Sequence, residues 1–203
     1  MKTTTWFAAS LCALMMAQAY ATETIVMMRH GEKPDGGLGQ LNCKGLRRAL
    51  ALPDVLVTKY GKADAVFAPN PAALKNDQGA MYAYVRPLAT IEPTAIRLGL
   101  PVNAALGYED IAGLQAALLA PALQDRTIFV AWEHREIELL ARAMLKSAGG
   151  NADAVPAWKG NDFDSLYVLK VSRDDDGKTQ IAFQLDHQGL DGMPATCPQD
   201  TDR

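Results

Sequence analysis

Two short stretches concentrate side chains able to do chemistry. Arg29-His30-Gly31-Glu32 places a cation, an imidazole, a flexible backbone position and a carboxylate in a row, directly after the apolar run Ile25-Val26-Met27-Met28. Glu133-His134-Arg135-Glu136 follows the apolar run Thr127 to Trp132 in the same way. A neutral imidazole can attack an electrophile, and a neighbouring guanidinium can hold a phosphate or carboxylate through paired donors. One histidine alone is more often a satisfied core residue. Two of them, each at the exit of a buried strand, are harder to explain as packing. Arg86 adds a third candidate, because it precedes Pro87, where the chain is biased away from helix and a side chain can project into a crevice. His187 lies in the polar C-terminal region without any such setting.

The elements that must position these residues follow from periodicity and breakers. In an open α/β sheet, ligands sit beyond the carboxyl ends of the strands, where Arg29, His30 and His134 would stand. Pro34 to Gln40 is a loop by composition, and it lacks the Gly-Lys-Ser/Thr and third glycine of nucleotide-binding loops. Asn42 can cap a helix starting near Cys43 and ending at Gly61, with Pro53 expected to bend or interrupt it. Asp64 to Pro69 reads as a second strand, Asn70 to Tyr82 as a loop over the strand ends, and Tyr84 to Thr90 as a stretch followed by a helix reaching Leu98, with a kink at Pro93 and a stop at Gly99. Leu100 to Ala104 is a short strand. Tyr108 to Leu119 carries a helical stripe with Glu109 and Asp110 in its first turn, where acids commonly favour the helix dipole, although one could face the crevice. Ile137 to Lys146 continues as a helix closed by Gly149-Gly150. Leu166 to Ser172 and Thr179 to Asp186 are strands joined by a polar turn, whose Asp174-Asp175-Asp176 run lacks the spacing and closing Glu of a calcium hand.

The chain has 203 residues, a length suited to one domain, and a formal net charge of -3 that argues against a nucleic-acid surface. Lys2, the apolar segment Trp6 to Met16 and the small-x-small site Ala19-Tyr20-Ala21 read as an export leader cleaved after Ala21. That apolar run is shorter than the roughly 20 residues a spanning helix needs, and Leu11 fits a lipoprotein site before Cys12 poorly. The expectation is therefore a signal peptide over residues 1–21 and a single domain over 22–203, periplasmic or secreted, with no stable membrane insertion. Cys43 and Cys197 remain after cleavage. They could form one disulfide tying the tail near the first helix, or stand as a buried thiol and a loose tail.

Taken in order, Arg29-His30-Gly31-Glu32, then Arg86 with Thr90 four residues later, then His134, the pattern resembles the histidine phosphatase superfamily, which includes cofactor-dependent phosphoglycerate mutases and histidine acid phosphatases. Leu41-Asn42-Cys43-Lys44-Gly45 is similar to that family's Leu-Thr-x-x-Gly turn, with Asn42 in place of Thr. The resemblance spans Ile25 to about Lys146. Departures are also plain: the Ser-Pro-x-x-Arg run is absent, Ala68-Pro69 being separated from Arg86 by Asn70 to Val85, and the neighbours of His134 differ from the commoner branches.

The resemblance implies an α/β fold, a three-layer sandwich with a mostly parallel central sheet flanked by helices and a C-terminal β-hairpin. It implies a phosphatase in which His30 attacks phosphorus and carries a transient phosphohistidine, while Arg29, Arg86 and protonated His134 neutralise the transferring group. Arg29, Glu32, Asn42, Arg86 and His134 would bind substrate. The acid is not pinned by a motif; Glu109 comes first from its place between Arg86 and His134, then Asp110, then Glu133. Whichever serves should have a raised pKa, because it must be neutral at the first step. No Cys/His or His/carboxylate spacing looks like a metal site, and no cofactor is implied. The expected partner is a small phosphorylated substrate or a phosphoprotein. The competing readings are a non-catalytic phosphate- or anion-binding domain of the same fold and a phosphomutase, which the leader would carry away from cytosolic glycolytic intermediates.

Overall fold

In the computed structural model, residues 22–174 and 176–198 are described; the expected leader lies outside them. Strands β1 (Glu23–Arg29) and β6 (Thr127–Trp132) are buried almost throughout because both of their faces are covered, and their centres are apolar. Alternate residues point to opposite sides. Ile25, Met27, Ile128, Val130 and Trp132 join one core, while Val26, Met28, Phe129 and Ala131 join the other.

The second core is closed by helices α1 (Cys43–Tyr60) and α2 (Arg86–Leu98), and the first by α3 (Ile111–Leu118) and α4 (His134–Ser147). This is the expected three-layer α/β sandwich. With β2 (Ala65–Phe67), β5 (Val102–Asn103), β7 (Ser165–Arg173) and β8 (Thr179–His187), the sheet runs in the order β5-β2-β6-β1-β7-β8. The first four strands are mutually parallel; β7 pairs antiparallel to β1 and forms the C-terminal hairpin with β8.

Three local expectations differ from the fold. Helix α1 runs through Pro53 without interruption, with Pro53 buried on the face it shares with Leu52 and Leu56, so packing on the sheet overrides the lost backbone bond. The span Asn70 to Tyr82 is not all loop, since β3 (Leu74–Asp77) and β4 (Ala80–Ala83) pair there as a separate two-stranded ribbon. Gln78 and Gly79, both at positive φ of 56° and 90°, make its tight turn. Its strands are mostly exposed, and neither Leu74-Lys75-Asn76-Asp77 nor Ala80-Met81-Tyr82-Ala83 alternates apolar with polar residues. Glu109 and Asp110 precede α3 instead of forming its first turn, and Asp110 caps it by accepting from the Gly113 amide at 2.9 Å.

The tail is fastened back. Cys43 and Cys197 are joined in a disulfide across 154 residues of sequence, with Cα atoms 4.6 Å apart. Arg47 supports the same segment, its Nε donating to the Thr196 carbonyl at 2.6 Å. No helix among the described residues is long and apolar enough to cross a membrane.

Candidate active site

The parallel register sets Arg29 beside Trp132, so His30 and Glu133 are the next residues on adjacent strands at one sheet edge. The His30 amide donates to the Trp132 carbonyl at 3.1 Å, which continues the ladder one step past the strand and brings the two chemical stretches together. This is the crevice position at which α/β sheets bind ligands.

His30 is buried, and its Nδ1 lies 2.8 Å from the Gly31 carbonyl. A carbonyl only accepts, so Nδ1 carries the proton and Nε2 keeps its lone pair. Burial, then the charge of Arg86, and further the charge of Arg29 outweigh that hydrogen bond and Glu133, lowering the imidazole pKa to about 3. The ring is therefore a neutral base at ordinary pH.

Both arginines are held from one side. Arg29 donates through one terminal nitrogen to the carbonyls of Gly160 (2.8 Å) and Asp162 (3.0 Å), and its guanidinium lies 3.8 Å over the Phe163 ring. Burial chiefly pulls its pKa below the ordinary arginine value, against Glu133 and other acids. Arg86 donates through one terminal nitrogen to the Asp77 carboxylate, which also accepts from Lys33 at 2.6 Å. Among the described residues, Nε of Arg29, Nε of Arg86, the Tyr84 hydroxyl and Nδ1 of His134 are buried without a hydrogen-bond partner. His134 Nδ1 has the Glu133 carboxylate beside it, but an unpaired buried polar atom typically costs about 1–3 kcal/mol, so the other three mark a place shaped for a polar ligand.

Thr90 ties the arginine helix to the histidine loop. Its hydroxyl accepts from the Gly31 amide at 2.9 Å and donates to the Arg86 carbonyl at 2.8 Å. Arg86 opens α2, and the amides of Val85 and Arg86 both donate to the Gly39 carbonyl, so the loop before α1 clamps the start of α2.

His134 begins α4 and is buried at the strand exit. Its Nδ1 lies 2.9 Å from Oε1 of Glu133, close enough to pair, though not aligned as a hydrogen bond. Glu133 caps the helix, its other oxygen accepting from the amides of Arg135 (2.7 Å) and Glu136 (3.1 Å). Burial would raise its pKa, but His134, Lys75 and the backbone donors prevail and hold it at about 2.

Two of the expected substrate-binding residues are occupied elsewhere. Glu32 receives Nε and Nη2 of Arg48 at 3.0 and 2.9 Å, with Lys44 at 3.4 Å. Asn42 caps α1, its Oδ1 accepting from the Gly45 amide at 2.9 Å and its Nδ2 donating to the Lys33 carbonyl at 3.1 Å. A Cβ at Gly45 would collide with the Glu32 backbone, so the glycine of this turn is what lets the histidine loop cross the helix start.

The carboxylates sort by environment. Asp110 is committed to its cap, and Glu133 stays charged, which unsuits it to donate a proton. Glu109 is exposed and accepts from the Tyr108 hydroxyl at 2.8 Å. Glu136, in the first turn of α4, is half-buried, and burial together with Glu133 and Glu109 raises its pKa against the pull of Lys75. It was visible in the sequence only as one more acid near a helix start. Tyr84, Asp77, Lys75 and Phe163 also border the site from segments that carry no motif. Among the described residues no group of three His, Cys, Asp or Glu side chains is placed to hold a metal ion.

No protein-family model matches the chain, and none of the curated proteins matches it in sequence. Solved structures do match in fold. The mycobacterial glucosyl-3-phosphoglycerate phosphatase is 18% identical with a TM-score of 0.54, over 81% of this chain and 97% of that one. Its complex with inorganic phosphate matches at 19% identity and a TM-score of 0.52, over 81% and 95%. A Nakamurella multipartitia protein assigned as phosphohistidine phosphatase SixA is 16% identical with a TM-score of 0.53, over 82% and 96%. At these identities the likeness is one of fold, and it is the fold that the resemblance to the histidine phosphatase superfamily implies.

Proposed function

We propose that this chain is a histidine phosphatase that hydrolyses a phosphomonoester or a phosphorylated protein through a phosphohistidine on His30, without a metal ion. The observation that carries the proposal is a neutral imidazole, oriented through Nδ1 so that Nε2 keeps its lone pair, within the fields of two guanidiniums that each keep an unpaired Nε. Phosphoryl transfer asks mainly for alignment and for neutral balance on the equatorial oxygens, which fixed cations supply. The solved structures of like fold are phosphatases by name, one of them holding inorganic phosphate, and this supports the same reading.

In the first step the Nε2–P bond forms as the P–O ester bond breaks, and the leaving oxygen takes a proton. Glu136 is assigned as its source, since it lies in the first turn of α4 two residues after His134, and burial together with Glu133 and Glu109 shifts it toward the neutral form. In the second step water attacks phosphorus, gives a proton to the Glu136 carboxylate, and the P–Nε2 bond breaks to release phosphate. The Cys43–Cys197 disulfide and the leader-like N-terminal residues support a periplasmic or secreted site of action.

A panel of phosphate esters on the mature protein tests the proposal. Hydrolysis of an aryl phosphate should be abolished by His30→Ala and unaffected by chelator, with an acid-labile phosphoryl label trapped on wild type and absent from the variant. Glu136→Gln should slow alkyl phosphates more than aryl phosphates, whose leaving group needs less help. A wild-type protein that binds phosphate but neither turns over nor becomes labelled would be an anion-binding domain instead.

A further inference from the structure

The hairpin β3–β4 ends on a residue whose placement is unexplained by packing alone. Tyr84 follows the second strand of the ribbon, and its amide donates to the Ala73 carbonyl at 3.0 Å, closing the base of the hairpin. Its side chain is fully buried, 0% exposed, yet its hydroxyl has no hydrogen-bond partner. Its ring meets the His30 ring edge-on with centroids 5.8 Å apart, and the Arg86 guanidinium lies 4.9 Å from its centroid. Tyr108 packs against its outer side at 5.2 Å, and Lys75 lies 5.1 Å above it. A phenylalanine would satisfy all these ring contacts without burying an unpaired hydroxyl.

Resting on the phosphate site proposed above, we infer that Tyr84 is a substrate-binding residue whose hydroxyl donates a hydrogen bond to an oxygen of the phosphoryl group held between Arg29, Arg86 and His30. The long Asn70 to Val85 segment, which separates Ala68-Pro69 from Arg86, thus delivers a third kind of donor to the anion. Burial holds the phenol well above its ordinary pKa, so it arrives as a neutral O–H and adds no charge to a crevice that already has two cations. A donor bonded to a charged oxygen is stronger than one bonded to a neutral acceptor, so its removal should be felt in binding.

The test is Tyr84→Phe in the full mature chain, read by the affinity for inorganic phosphate and for orthovanadate and by the melting temperature. Weakening of both anions by about tenfold or more is expected, with the melting temperature unchanged or raised because an unsatisfied buried hydroxyl has gone. Unchanged anion affinity overturns the inference, as does a fall in melting temperature with affinity intact, which would make the hydroxyl structural. Should the variant fold poorly, wild-type protein labelled at tyrosine Cζ gives the same answer: phosphate should shift the Tyr84 resonance, and a silent resonance refutes the contact. If wild type binds phosphate in a Tyr84-dependent way but forms no phosphohistidine, the inference stands and the phosphatase proposal falls. If turnover proceeds through His30 equally well in Tyr84→Phe, the reverse holds.

Discussion

Two buried arginine clusters lie side by side at the head of the sheet, and they differ in how completely their polar atoms are paired. Around Arg48, which is fully buried, Glu32 takes Nε and Nη2, Gln188 and Asp164 take Nη1 at 3.0 and 3.2 Å, and Asp191 takes Nη2 at 3.0 Å. Two residues back along the chain from Glu32, the His30 crevice has two guanidiniums each gripped at one end and unpaired at Nε, with the Tyr84 hydroxyl also unpaired. The same residue type therefore serves opposite ends. A buried cation with every donor used is structure, because breaking it leaves uncompensated charge; a buried cation with a donor kept open is a ligand site.

The largest effect expected from this contrast is on stability. Arg48→Met strands Glu32 and Asp164 without their cation and should destabilise the fold by about 3–5 kcal/mol in urea titration. A mild loss would mean that the cluster is not the brace described here. Next, Arg29→Met should lower kcat/KM for an aryl phosphate by about 10²–10³-fold. It should cost clearly less stability than Arg48→Met, since it loses two backbone hydrogen bonds and a ring contact but strands no carboxylate bonded to it. A collapse in stability instead would place Arg29 with Arg48 on the structural side.

The pH dependence separates the two clusters further. His30 has its pKa lowered from 6.5 to about 3, so the unfolded chain takes up this proton first and stability should fall as pH drops through that window. His30→Asn should flatten the slope between those limits while abolishing turnover. Glu32 is also depressed, since burial, the largest single influence, is overcome by the hydrogen bonds and charge of Arg48 together with a backbone donor and Lys44, so its contribution is present above the ordinary carboxylate range and is lost at lower pH. Arg48→Met should remove that acid-side loss and leave the His30 window in place. The smallest effect belongs to Asn42→Ala, which deletes a helix cap and should cost about 1 kcal/mol in thermal melts with KM unchanged. A rise in KM would return Asn42 to the substrate site.

The histidine loop, the strand exits and the order of Arg86 and His134 were legible because each depends on local pattern: an apolar run, then charged residues, then a helix start. Asn42 was legible as a cap for the same reason. The ribbon was not, because its short exposed strands do not alternate apolar with polar residues and its turn uses Gln78 where Asn is usual. Glu32 looked like part of the site from its neighbours in sequence, yet Arg48, 16 residues on, claims its carboxylate across the helix start. Tyr84 and Glu136 carried no spacing that singled them out, since their importance comes from what they face.

The sequence alone determined that two imidazoles each leave a buried strand and that helices follow them, because strand and helix periodicities are properties of neighbouring residues. Only the tertiary structure decided which charges were spent and which were kept. Hydrogen-bond partners such as Asp164, Gln188 and Asp191 on Arg48, or Gly160 and Asp162 on Arg29, come from more than 100 residues away, and pairing over that distance is fixed by the folding of the sheet rather than by any local pattern.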